Sequence, residues 1–209
     1  MRQMSTAIQN ARLPLVLLAF TILALAVSAI RPFDWLTWVM ETAPVIIAIP
    51  LLLFTWNRFP LTPLLYVLIF VHALVLILGA HYSYARVPPG FWVQEWFDFE
   101  RNHYDRLGHI AQGFIPAILA REILLRHKVV RGSAWLFVVV TAICLAFSAF
   151  YEMLEWWAAL IAGDGATEFL ATQGDVWDTQ WDMFLALCGA MVSQILLGRW
   201  HNRQLARLS

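Results

Sequence analysis

The chain has 209 residues, of which 61% are hydrophobic and 13% charged, with a mean hydropathy of +0.66 and a formal net charge of zero. A soluble domain of this size would struggle to stay in solution with that composition. Nucleic-acid binding is disfavoured too, because the few basic residues are spread along short loops and tails.

A hydrocarbon core of ~30 Å needs about 20 mostly apolar residues per span, and six segments fit: 13–30, 36–56, 62–82, 107–126, 134–161 and 180–198. The first follows Arg2 and Arg12 and ends near Ala26 and Ser28, which resembles a signal peptide. Its apolar run exceeds the roughly 7 to 15 residues of a cleaved segment, so it is expected to remain as an anchor. The second carries Glu41 early and Pro44 and Pro50 within; the third carries His72 and His81 late. Pro116 interrupts the fourth. Cys144 and Cys188 sit mid-helix in the fifth and sixth, where a thiol acts as a small apolar group and no disulfide is expected.

The connections 57–61 and 127–133 are short and basic, whereas 83–106 and 162–179 are longer, rich in aromatics and acids, and punctuated by Pro88, Pro89, Gly90, Gly163, Gly165 and Gly174. Loops of that length are often functional. The positive-inside bias places Arg2, Arg12, Arg58, Arg126, Lys128, Arg131, Arg199, Arg203 and Arg207 in the cytoplasm, against Arg31, Arg86, Arg101 and Arg106 outside. Both termini are therefore expected inside. Trp35, Trp38, Trp92, Trp96, Trp156, Trp157, Trp177 and Trp181 then fall near the outer interface, and Trp56, Trp135 and Trp200 near the inner one. The expectation is an all-α polytopic bundle of six spans, with residues 1–209 forming one integral membrane domain.

With this threading, of the 14 carboxylates only Glu122 lies on the inner half. A local ion pair with Arg121 or Arg126 that lets the side chains snorkel accounts for it. The others cluster outward. In 102–109, a helix from Tyr104 puts Asp105 and His109 four apart on one face, where a carboxylate orients an imidazole or shares a metal with it. Glu152 and Glu155, three apart near the end of the fifth segment, share a face, and Asp175, Asp178 and Asp182 form a stripe if the sixth helix starts early. Asp175 and Asp178 also read as helix caps and Glu168 as loop-exposed. Alternating helix direction brings these groups to one end, where Glu41, His72 and His81 could join them.

Mixed nitrogen and oxygen donors suit zinc, manganese or iron better than calcium. The expected metal ligands are Asp105, His109, Glu152, Glu155, Asp178 and Asp182, and the expected catalytic groups are His109, Glu152 and Asp178. Without a metal, crowded carboxylates and an imidazole would still serve acid-base catalysis or proton-coupled transport. No Walker loop, nucleophile elbow, His-Glu-x-x-His or Cys-x-x-Cys motif accompanies them.

Three stretches, His103–His109 with Gln112-Gly113-Phe114, then Tyr151–Trp156, then Thr172–Met183, resemble the YjdF family of multipass bacterial inner-membrane proteins, a family with no assigned activity. A fainter similarity is to VanZ-like membrane proteins, whose pattern is Asp-Lys-x-x-His, a Glu with Gln three on, and an Asp with Asn four on before glycines. Asp105 and His109 match it with Arg106 replacing Lys, Glu152 matches with Glu155 replacing Gln, and Asp178 matches with Asp182 replacing Asn and Gly189 as the late glycine. The resemblance implies a bacterial inner-membrane location and a shared polar site. Three functions remain open: an enzyme acting on a lipid or lipid-linked envelope headgroup, a proton- or cation-coupled transporter, and a structural or partner-binding membrane protein.

Overall fold

In the computed structural model, residues 2–162 and 172–208 are described, so Gly163, Gly165 and Glu168 lie outside the described residues. The chain runs α1 (Arg2–Ser28), α2 (Trp35–Thr55), α3 (Pro63–Tyr82), a 3-10 turn (Tyr84–Arg86), α4 (Pro88–Phe97), α5 (Tyr104–Arg126), α6 (Ser133–Ala162) and α7 (Asp178–Leu205). The fold is all-α, and no strand occurs among the described residues. Local chemistry sets the helix starts. The Asp34 carboxylate accepts from the Thr37 amide at 2.7 Å, and Thr62 caps α3 with Pro63 in its first turn.

Four helices are long and apolar enough to cross a membrane: Trp35–Thr55, Pro63–Tyr82, Ser133–Ile161 and Asp178–Leu205. The apolar part of α1, Arg12–Ser28, is shorter. α5 spans 23 residues, about 34 Å of helix, but carries Asp105, Arg106, Arg121, Glu122 and Arg126. Its charges are placed at its two ends, and partners from neighbouring helices meet them there.

The connection 83–106 is not an irregular loop. Pro88 and Pro89 preset the first turn of α4, and Asp98 closes it in the left-handed conformation, φ 54°, with its amide on the Gln94 carbonyl. Trp92, Trp96 and Phe97 on this helix are 56%, 74% and 65% exposed, the habit of a short aromatic helix lying at a membrane interface.

The closest helix contact is between α5 and α7, which run parallel. A Cβ on Gly113 would overlap the Ala186 carbonyl, and one on Gly189 would overlap the Ile110 carbonyl. The two backbones therefore touch along a seam of small residues that Ala117 and Ala190 continue. Ala117 and Ala190 pack with Leu136, Val140 and Cys144 of α6 in one apolar cluster. On the other flank, Ile118 packs with Leu61, Leu64 and Leu65 around the start of α3.

The end of the bundle where α5 and α7 finish keeps the expected pair of Glu122 with Arg126 but corrects the expectation that it snorkels. Its carboxylate is fully buried and accepts from the Thr62 hydroxyl at 2.8 Å, the Thr62 amide at 3.1 Å and Arg126 Nη1 at 3.1 Å. It also meets His201 Nε2 at 3.0 Å. Arg121 in turn reaches Asn202 Oδ1 at 2.8 Å and lies 3.3 Å from His201 Nδ1. A charge without access to water requires partners rather than snorkelling, and here α3, α5 and α7 supply them.

Candidate functional site

At the opposite end, the start of α5, the last turns of α6 and the start of α7 converge on His109. Helix α5 does begin at Tyr104, so Asp105 lies one turn before His109, with Asp105 Oδ1 3.6 Å from His109 Nε2. Asp182 Oδ2 approaches the same nitrogen at 3.7 Å from α7. Asp105, His109 and Asp182 are the described residues whose donor atoms gather within 4.8 Å of one another. From α6, Glu152 Oε1 lies 3.8 Å from His109 Nδ1, and the Thr179 hydroxyl hydrogen-bonds to the same carboxylate.

The other imidazole nitrogen sets the chemistry. His109 Nδ1 is 2.9 Å from Gln112 Oε1. An amide oxygen only accepts, so Nδ1 donates to Gln112 and Nε2 faces the two carboxylates. The separations of 3.6 and 3.7 Å exceed a hydrogen bond and approach the ligand-to-ligand edge, about 3.4 Å, of a tetrahedral ion with bonds of ~2.1 Å. Glu152 Oε1 and Asp182 Oδ1 are buried without a hydrogen-bond partner, a costly state for a carboxylate oxygen unless a proton, water or cation occupies the space beside it.

Two expected ligands are placed differently. Asp178 is held by Arg101, whose Nη2 donates to Oδ1 at 2.7 Å, which fits a structural tie better than an open ligand. Glu155 stands beside Glu152 and Glu41, within electrostatic reach of Asp105, but outside the set of converging donors. Asp175 is not on the α7 stripe, because the helix starts three residues later at Asp178. Its Oδ1 accepts the Trp177 amide at 3.0 Å, and its Oδ2 accepts from Arg106 Nη2 at 2.9 Å. Glu41 is buried in the wall of the site and hydrogen-bonds to Tyr84. His81 instead turns to the Ser28 carbonyl at 2.9 Å, and His72 points elsewhere, into an apolar cavity.

A clasp closes the rim. Asn102 and Gln173 exchange paired hydrogen bonds, the Asn102 amide to Gln173 Oε1 at 3.2 Å and Gln173 Nε2 to the Asn102 carbonyl at 2.8 Å. Arg101 and Arg106 complete it on Asp178 and Asp175. The Trp177 amide, then Arg101 and Arg106, hold the Asp175 carboxyl below the ordinary aspartate range. Partial burial, then the nearby Arg106 and Arg101 guanidinium groups, lower His103. The nitrogens Arg101 Nε, Arg106 Nε and His103 Nδ1 are buried there without a partner. Sequence reasoning treated Arg101 and Arg106 as topology signals and gave Gln112 no role. The spacing of Gln112, one turn after His109, was a usable sign.

The fold and site thus define a multipass α-helical membrane protein with a buried His-carboxylate cluster at one end of the bundle. Residues 13–203 match the family described as "Predicted membrane protein (DUF2238)", and the chain belongs to that family. It is 56% identical over 185 residues to "Inner membrane protein YjdF" of Escherichia coli (strain K12), which covers 88% of each chain. No solved structure matches. The chain is accordingly a multipass protein of the bacterial inner membrane.

Proposed function

We propose that the chain is a membrane enzyme acting on a lipid or lipid-linked headgroup. In this reading the bundle is six-spanning with both termini cytoplasmic, and the cluster faces outward at headgroup depth. The observation that carries the proposal is the His109 imidazole, committed through Nδ1 to Gln112 and aiming Nε2 between Asp105 and Asp182. These three residues would hold a divalent cation, with Glu152 beside them. Such an ion supplies a water activated against a phosphate or ester. Glu152, buried with an open Oε1, takes the proton. The Arg101 and Arg106 guanidinium groups at the rim, whose side chains are 13% and 26% accessible, suit the anionic oxygens of a phosphorylated headgroup.

A proton- or cation-coupled transporter is the second reading, and the buried Glu122-His201-Arg121 group at the other end favours it by adding ionisable residues to both halves. Against it, backbone contact between α5 and α7 at Gly113 and Gly189 leaves no room for a water path along the seam joining the two groups.

Elemental analysis after loading with manganese or zinc tests the proposal. The wild type should retain one equivalent, and the Asp105→Ala, His109→Ala double variant none, with both still folded. Loss of headgroup turnover in His109→Ala without loss of folding completes the case. Absence of metal from the loaded wild type refutes the metal assignment, and vesicle flux that collapses in Glu152→Gln would put transport first.

A further inference from the structure

Well away from the His109 cluster, a cavity of about 910 Å³ opens between α1, α2, α3 and α5. That volume lies at the upper end of the ~300–1,000 Å³ typical of pockets that enclose a small-molecule ligand. Its walls are almost wholly apolar, and three of the four carry an intrahelical proline at the cavity, Pro14, Pro44 and Pro116. Proline removes a backbone hydrogen bond and bends a helix away from its preceding turn, which separates neighbouring helices. Leu15, Leu51 and Leu53 on its border are more than half exposed, so the cavity opens sideways to the bilayer.

One end of the cavity is polar. Trp56 at the end of α2 lines it, with Asn57, Arg58 and His127 from the two basic connections. Among the described residues no carboxylate lines the cavity. Arg58 rests on the Phe54 ring at 5.5 Å and makes no ion pair among the described residues, and His127 stacks on Phe59 at 5.4 Å. Lys128 and Arg131 follow on the same connection. The nearby acid, Glu122, is buried and neutralised by Arg126 and His201, so it does not offset this positive mouth. An apolar trough ending in an uncompensated guanidinium, an imidazole, a carboxamide and an indole matches an amphiphile with an acyl tail and an anionic head.

We infer that this cavity is a binding site for an anionic phospholipid, its acyl chain lying between α1, α2, α3 and α5 and its phosphate at Arg58 and His127. The site is separate from the His109 cluster and does not depend on the activity proposed there.

Native mass spectrometry of the delipidated full chain, titrated with phosphatidylglycerol or phosphatidylethanolamine of identical acyl chains, reads the site directly. Phosphatidylglycerol should form a single-lipid adduct about fivefold more readily, the advantage one basic residue confers at an anionic headgroup. Arg58→Ala with His127→Ala should bring the two lipids to parity, and Arg58→Lys should keep the preference. Ala48→Phe, which projects a ring into the trough from half-buried Ala48, should weaken both lipids alike. Thermal unfolding of each variant confirms that it folds. Parity in the wild type overturns the inference, as does a preference that survives the double variant, or a dimer that forms in place of the adduct.

Discussion

Replacing Glu122 separates a buried network from a local surface pair. In Glu122→Ala the Thr62 hydroxyl and amide, His201 and Arg126 all lose their acceptor. All four bonds end on a carboxylate, and hydrogen bonds to a charged group contribute about 1.5–3 kcal/mol each. Part of that sum is recovered by relaxation, and removing one partner of a buried ion pair typically costs about 3–5 kcal/mol. About 4 kcal/mol is expected, which for a chain of this size lowers Tm by about 8–16 °C. Glu122→Gln keeps an acceptor for Thr62 but loses the charge, and about 2 kcal/mol is expected. Arg126→Ala removes the more exposed partner, with 24% of its side chain accessible, and about 1 kcal/mol or less is expected. Thermal unfolding in detergent, followed by tryptophan fluorescence, orders the three. If Glu122→Ala costs no more than Arg126→Ala, Glu122 is a snorkelling pair and the network carries no stability.

Three further outcomes follow from the geometry. Gly113→Ala gains about 1 kcal/mol in helix propensity but must part α5 from α7 at the Ala186 carbonyl; a net loss of about 1–3 kcal/mol and weaker manganese binding are expected, and an unchanged Tm would mean that the seam is looser than described. His72→Leu replaces a side chain whose Nε2 is buried without a partner and should stabilise the protein by about 1–3 kcal/mol; equivalent destabilisation would reveal a partner for that nitrogen. Asp175, with its carboxyl held low in the folded state, contributes to the clasp above its unfolded pKa and loses that contribution as pH falls through the folded value. The protection factors of amides 172–177, meaning exchange relative to the intrinsic base-catalysed rate at each pH, should therefore be constant from pH 8 to about pH 5 and fall below about pH 4; a fall already near pH 6 would assign the clasp to another group.

Composition and spacing alone determined the membrane environment, the positions of the long helices and the face shared by Asp105 and His109, because hydrophobic length and helical periodicity are local properties of the chain. The aromatic segment after α3 read as a loop, since a helix of ten residues on an interface needs no apolar run long enough to announce it. Which acids meet was a matter of packing. Gly113 and Gly189 let α5 and α7 close until Asp182 faced His109, whereas Asp178, one turn earlier, met Arg101. Glu122 looked like a neighbour of Arg126 because both lie on one helix; Thr62, 60 positions earlier, and His201, 79 positions later, became its partners only in the assembled bundle. Long-range partners of this kind leave no periodic signal, and burial without water makes them obligatory once the helices pack.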